Sequence, residues 1–155
     1  MNRYTAKTVA EAVNQACVEK NVSEEELTYF VVEEKAGGLF GLGAKAVIEA
    51  YCQKDIEDFI VDYLKKYFDN ITMNCQIVLE TNKDGYLVKL DADNNAILIG
   101  KAGQTLQSIT NVVKSAASAQ FKKHINLLVD VNGYKEERYQ KLKDMVGKIA
   151  FIIRF

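Results

Sequence analysis

The sequence contains no proline, one histidine (His124) and three widely spaced cysteines among its 155 residues. Without proline, the chain lacks the usual mark of a long linker, so we expect its domains to follow one another directly. One histidine and the absence of a CxxC pair argue against a zinc site. An odd number of cysteines among apolar neighbours is typical of reduced, partly buried thiols in a cytosolic protein. We therefore expect a cytoplasmic protein without a metal or cofactor.

The sequence also lacks an excess of charge of either sign and a long apolar run. Its 20 basic and 21 acidic residues give a formal net charge of -1, so any binding to a polyanion must be local. No apolar stretch is long enough to span a bilayer, and the N-terminus lacks the pattern of a signal peptide. What the sequence does contain, 48% hydrophobic and 26% charged residues, is typical of one globular domain or two small ones.

Patterns that would indicate catalysis are missing too. The phosphate-binding motif GxxxxGK(S/T) is absent. Residues 41–46, GLGAKA, match the dinucleotide-binding fingerprint only superficially, because a β-branched strand rather than a helix follows them. His124 has no Ser, Cys or carboxylate at a motif spacing, and Asp91 and Asp93 lie beside turn residues at a predicted strand end. We therefore expect no catalytic residues and no enzyme activity.

Residues 1–52 are predicted to form a first domain. Its N-terminal residues lead into an amphipathic helix, and runs rich in β-branched and aromatic residues predict strands over residues 29–34 and 45–51. A glycine-rich loop, residues 35–43, joins the strands. The tip of this loop carries three apolar residues, Leu39, Phe40 and Leu42. Either the tip folds back onto the domain, or it forms an exposed apolar patch that binds a partner.

Residues 53–133 are predicted to form a second domain. A long amphipathic helix precedes two strands joined by an Asp-Gly turn, a strong hairpin signal. A short helix over residues 94–99, a GxxG turn, a second amphipathic helix and a strand over residues 127–131 complete it. The order is helix, strand, strand, helix, GxxG, helix, strand. The fold class is therefore predicted to be α+β.

The GxxG turn, Gly100–Gly103, is the main candidate binding site. Glycine lets the backbone approach a ligand closely, and the first amides of the next helix lack intrahelical partners. Such a turn can accept phosphate oxygens and clamp a short single-stranded RNA backbone, although it can also be only a tight turn between helices. The candidate RNA-binding residues of the turn and its flank are Gly100, Lys101, Ala102, Gly103, Gln104 and Thr105. Four apolar neighbours are candidates to line a groove for about four nucleotides, although some of them must belong to the core: Ile97, Ile99, Leu106 and Ile109.

Residues 134–155 are predicted to form a further, basic helix. They contain six Lys or Arg residues against three acidic ones. This basic face either extends an RNA-binding track or is simply solvated. The opposite, apolar face needs something to bury it and offers one surface for dimerisation.

Three stretches carry a resemblance to a known family. Residues 98–106, LIGKAGQTL, resemble the K-homology (KH) signature (I/V)IGxxGxx(I/L), and the element order matches the type II form of that domain. The first domain, with its glycine and phenylalanine loop, resembles the Jag N-terminal domain. Residues 129–138, VDVNGYKEER, look like the junction that follows the KH domain in Jag proteins. Over nearly its whole length, the chain thus resembles the Jag family, also called SpoIIIJ-associated or KhpB/EloR-like proteins.

This resemblance implies a bacterial, cytoplasmic RNA-binding protein. The family is linked to RNA-based control of cell shape, elongation, division or sporulation, with a small KH-only partner protein in several bacteria. Type II KH domains often pair, which makes a homodimer an expectation. The alternative is a protein-interaction adaptor that acts through the Jag N-terminal domain and uses the KH fold for dimerisation.

The sequence departs from the family pattern in two ways. Jag proteins normally end in an R-x-x-x-H domain, but no such motif is present, and residues 134–155 resemble only the start of that domain. We therefore expect this domain to be truncated. Many relatives also have a long charged linker before the KH domain, sometimes with a phosphothreonine. The domains abut here, so no phosphorylation site is carried over.

Overall fold

The computed structural model describes residues 1–37 and 43–153, with side chains to residue 146. Residues 38–42 of the glycine-rich loop lie outside this range. The apolar tip predicted to bind a partner, Leu39, Phe40 and Leu42, therefore lies outside the described residues. The chain divides into one unit of residues 1–60 with 119–123, and a second of residues 61–118 with the chain from 124 onward. The domain boundaries proposed after residues 52 and 133 stay predictions.

The first unit is built on a three-stranded antiparallel sheet. The sheet has the order β1–β3–β2, and one helix precedes the second strand. The elements are β1 (Asn2–Ala6), α1 (Val9–Lys20), a 3-10 turn (Glu24–Glu26), β2 (Thr28–Lys35) and β3 (Lys45–Tyr51). The predictions of β2 and β3 are confirmed, whereas β1 was not predicted. Residues from β1, α1, β3 and the segment before β2 form one buried cluster: Tyr4, Ala12, Val13, Ala16, Leu27, Ile48 and Ala50.

Local hydrogen bonds set the ends of α1. The Thr8 hydroxyl accepts a bond from the Glu11 amide at 3.2 Å, which satisfies one of the open N–H groups of the first turn. At the other end, Asn21 adopts a left-handed conformation with φ 53°, and its N–H donates to the carbonyls of Cys17 and Val18. This is the geometry with which many helices end.

The second unit has the predicted α+β order. Its elements are α2 (Gln53–Asn70, which begins in the first unit), β4 (Cys75–Asn82), β5 (Gly85–Ala92), α3 (Asn95–Ile99), a 3-10 turn (Lys101–Gly103), α4 (Gln104–Phe121), β6 (Leu127–Val131) and α5 (Tyr134–Ile153). β4 pairs with β5 in antiparallel register, and β6 pairs with β5 in parallel register. A parallel pair needs a crossover, which α3, the turn and α4 supply. The helix–strand–strand–helix–GxxG–helix–strand order of a type II KH domain is thereby confirmed.

Apolar side chains from the helices and the sheet fill the second unit. They recur at helical spacing on α2 and α4 and at alternate positions on β5 and β6. The buried set includes Leu64, Phe68, Val88, Leu90, Leu98, Leu106, Ile109, Val113, Val129 and Val131. Leu98 lies in α3, directly before the GxxG turn, so the turn begins from an anchored side chain. No helix within residues 1–37 and 43–153 is long and apolar enough to cross a membrane.

Candidate nucleic-acid interface

The GxxG turn begins with a backbone conformation that requires glycine. Gly100 has φ 68° and ψ −176°, a region that is essentially restricted to glycine. A Cβ added there would collide with the side chain and the backbone nitrogen of Thr105. The Gly100 amide donates to the Ala96 carbonyl at 2.9 Å and so closes α3. Gly100 is therefore fixed both by its torsion angles and by the close approach of the next helix.

The second half of the turn, Ala102 and Gly103, is left-handed. Ala102 has φ 53° and ψ 24°, a conformation that costs a residue with a side chain about 1–2 kcal/mol. Gly103 follows with φ 81°, and its N–H donates to the Gly100 carbonyl at 3.3 Å. The side chains of Lys101 and Ala102 are both exposed. The turn thus presents its two central residues to solvent.

Two backbone N–H groups of the turn are open. No hydrogen bond found among the described residues uses the amide of Lys101 or of Ala102. They lie directly before α4, an 18-residue helix whose first amides also lack partners within the helix. The positive end of the helix dipole and the exposed Lys101 ammonium favour an anion at this position. The arrangement is chemically suited to phosphate oxygens.

The four apolar residues beside the turn divide into two pairs. Leu106 and Ile109 are 1% and 6% exposed and face the core from α4. Ile97 is 55% exposed and Ile99 is half-buried, so both reach the surface of α3. Of the two polar candidates, Gln104 is exposed and Thr105 packs against Gly100. Contact of any of these residues with RNA stays a prediction, and the two isoleucines of α3 are the accessible ones.

A mainly apolar cleft of about 120 Å³ lies between α2 and α4 in the second unit. Thr105, at the turn, borders one part of it, and Ile109 contributes to its wall. Val112 and Tyr67, which are 51% and 37% exposed, also line it. These two residues could not be singled out from the sequence, because both fit the helical periodicity of a core face. The cleft adds an apolar surface next to the turn.

The last helix, α5, contacts the turn directly. A guanidinium nitrogen of Arg138, Nη1, donates to the Ala102 carbonyl at 2.6 Å. A Cβ at Gly103 would lie 3.1 Å from Tyr134 Cε1 and 3.2 Å from Arg138 Nη1. The second glycine of the motif therefore lies against α5 and has no room for a larger side chain. Sequence reasoning missed both Tyr134 and Arg138, for which the only signal was the basic character of this segment.

Two carboxylates fix the segments around the turn. Asp130 accepts hydrogen bonds from the amides of Gly133 at 2.8 Å and Lys135 at 3.2 Å, which caps the start of α5. Asp91, at the end of β5, accepts side-chain amide bonds from Asn95 at 2.8 Å and Asn132 at 2.9 Å. These two bonds, of which that from Asn95 has the larger effect, hold the pKa of Asp91 below its ordinary value. Asp91 thereby ties the start of α3 to the junction that leads into α5.

The same region offers no site for a metal ion. Within the part of the chain that the structure describes, no group of three or more His, Cys, Asp or Glu side chains is arranged to hold one. The chemistry available at the turn is therefore that of N–H donors, one ammonium group and apolar surface.

Comparison with known proteins agrees with this architecture. Residues 4–52 match the Jag N-terminus family, and residues 57–129 match the KH domain family of KhpA and KhpB. The RNA-binding protein KhpB of Clostridium symbiosum is 34% identical over 157 residues, which cover 99% of this chain and 71% of the relative. The RNA-binding protein KhpB of Bacillus subtilis (strain 168) is 25% identical over 154 residues, which cover 97% of this chain and 74% of the relative. The chain therefore belongs to the KhpB family, with a Jag N-terminal domain followed by a KH domain.

Proposed function

We propose that this protein binds single-stranded RNA at the Gly100–Gly103 turn. The observation that carries the proposal is the pair of open amides at Lys101 and Ala102, held in a left-handed turn at the start of a long helix. The KH domain match and the two relatives named RNA-binding proteins support RNA as the ligand. An isolated phosphate turn would not by itself select a nucleic acid.

The binding step follows from the geometry of the turn. Phosphate oxygens accept from the two open amides, and the Lys101 ammonium adds a mobile positive charge. A hydrogen bond to a charged group contributes about 1.5–3 kcal/mol. Ile97 and Ile99, on the surface of α3, supply apolar contacts for the bases of a segment of about four nucleotides. Because about one or two phosphates are neutralised, the logarithm of the affinity should fall with the logarithm of salt concentration with a slope of only about −0.7 to −1.4.

The cellular role proposed here rests on the family resemblance. We propose a bacterial post-transcriptional regulator that acts in the cytoplasm on cell elongation, division or sporulation. A small KH-only protein or a second copy of this chain is the proposed protein partner. Recovery of the crosslinked RNAs, followed by sequencing, identifies the transcripts concerned, and a random sample of cellular RNA would contradict a regulatory role.

The double variant Lys101→Asp with Ala102→Asp tests the binding site. Two carboxylates placed beside the open amides repel phosphate, so we expect loss of RNA binding with an unchanged circular dichroism spectrum. The matched control, Lys66→Asp with Lys54→Ala, makes the same total charge change at exposed positions of α2. It should bind RNA nearly as the wild type does. If the folded turn variant and the control have equal affinities, RNA binding at the turn is refuted.

A second candidate function is that of a protein-interaction adaptor acting through the first unit. The observation that favours it is a set of exposed apolar residues, Val18 at 76% and Val31 and Val32 at 48% each. Val31 and Val32 lie on β2, an edge strand of its sheet. Replacing these two valines by threonine tests this role in affinity capture from an RNase-treated bacterial lysate. Proteins that are retained by the wild type and lost with the variant would support the adaptor, and identical captures would argue against it.

A further inference from the structure

The contact between α5 and the GxxG turn has a direct bearing on the proposed binding site. The Ala102 carbonyl accepts a 2.6 Å bond from Arg138, 36 residues further along the chain. Because α4 begins at Gln104, this carbonyl precedes the helix. Arginine keeps its charge at all ordinary pH values, so the bond is charge-assisted. One guanidinium therefore fixes the peptide group that joins Ala102 to Gly103.

Ala102 is the residue of the turn that most needs such support. It has a side chain, yet it adopts φ 53°, where glycine would be free of strain. The amides that the turn offers to phosphate belong to Lys101 and to Ala102 itself. The torsion angles of residue 102 set the direction of these two amides relative to the start of α4. If residue 102 relaxed to a right-handed or extended conformation, both donors would turn away from the positive end of that helix.

We infer that Arg138 is a positioning residue for RNA binding, which holds Ala102 in the left-handed conformation that presents these amides. This inference rests on the proposed function of the turn. It extends the functional unit into α5, beyond residue 129, where the KH family match ends. RNA binding is then sensitive to the docking of α5 as well as to the KH domain itself.

The surroundings of Arg138 make this role separable from folding. Arg138 is exposed and borders a cleft of about 220 Å³ between α4 and α5. Tyr134, which is half-buried, packs against the Gly103 position and provides a contact that does not depend on Arg138. Truncating Arg138 therefore leaves the buried core and the Tyr134 contact in place.

The test compares Arg138→Ala with Lys141→Ala. Lys141 is an exposed lysine of the same helix, and its nearest carboxylate, that of Glu137, is 3.8 Å away. In the RNA-free proteins, Arg138→Ala should shift the amide NMR signals of residues 101–103, and Lys141→Ala should leave them in place. Arg138→Ala should also weaken binding of a short single-stranded RNA by about threefold to tenfold, less than the full worth of a charge-assisted bond because the Tyr134 contact remains, whereas Lys141→Ala should change it by less than about twofold.

The salt dependence of binding separates positioning from a direct phosphate contact. A positioning residue leaves the phosphate contacts of the bound state unchanged, so the slope for Arg138→Ala should equal that of the wild type. A direct contact would reduce the slope by about 0.7 and would overturn the inference. In an Ala102→Gly background, the left-handed conformation needs no support. There, Arg138→Ala should weaken RNA binding by less than about twofold. An equal loss in both backgrounds would also contradict positioning.

The NMR comparison also distinguishes this inference from the proposed function. Failure of the wild type to bind any single-stranded RNA would refute the proposed function. If the signals of residues 101–103 do not move in Arg138→Ala, then Arg138 does not fix the conformation of the turn, whether or not the protein binds RNA.

Discussion

Replacing Gly100 by alanine perturbs the candidate site at its most constrained position. The torsion angles φ 68° and ψ −176° are essentially restricted to glycine, so an alanine there is strained by about 1–3 kcal/mol. Its Cβ would also meet the backbone nitrogen and the side chain of Thr105. A backbone atom cannot rotate away, so overpacking adds about 1–3 kcal/mol. The second unit should therefore lose roughly 2–6 kcal/mol of stability.

Gly43→Ala is the matched control for this variant. Gly43 also has a positive φ, 84°, but among the described residues, its chain neighbours aside, no atom lies within 4 Å of the position that a Cβ would take. Gly43→Ala should therefore lower the stability of the first unit only by the strain of a left-handed alanine, about 1–2 kcal/mol.

Urea denaturation, followed by the NMR signals of α4 residues, measures the Gly100→Ala effect in the second unit. The same titration, followed by β3 signals, measures Gly43→Ala in the first unit. If Gly100→Ala is no more destabilising than Gly43→Ala, the predicted clash of the added Cβ with Thr105 is refuted.

Two further predictions concern pH. Hydrogen bonds from Lys35 and then Lys45 lower the pKa of Glu33 from 4.5 to about 2. A depressed carboxyl pKa stabilises the fold above the unfolded-state value, so the stability advantage of wild type over Glu33→Gln should decline as pH falls from about 4.5 towards 2. A constant difference in urea midpoints across this range would contradict the pairing. The pKa of Asp91 is also lowered, so the stability advantage of the wild type over Asp91→Ala should decline as the pH falls below 3.8, the ordinary pKa of this carboxyl. A difference in urea midpoints that does not shrink in acid would refute the role of Asp91 as an acceptor for two asparagines.

The elements with strong local patterns were predictable from the sequence. A run of apolar, β-branched and aromatic residues predicted the strand over residues 45–51, which is β3. Helical periodicity predicted a helix from residue 134, which α5 confirms. The strand β1 could not be recognised, because its five residues bury only Tyr4, and its pairing with β3 joins residues forty or more positions apart.

The candidate site was only partly predictable for related reasons. Glycine spacing and the helical pattern that follows it indicated the turn from local sequence alone. The same pattern could not separate Ile97 and Ile99 from Leu106 and Ile109, because all four are apolar residues at helical spacings. Only the packing of α3 and α4 places the first pair at the surface and the second in the core. The bond from Arg138 spans 36 residues, a separation at which no local pattern carries information.

Amide NMR signals of the wild-type protein, recorded during titration with a short single-stranded RNA, test the central claim most directly. If RNA binds at the turn, the amides of Lys101 and Ala102 should shift first and furthest, because they donate to phosphate. The signals of Ile97 and Ile99 should follow, and those of β1 should stay in place. RNA-dependent shifts elsewhere, with the amides of Lys101 and Ala102 unmoved, would contradict RNA binding at the turn.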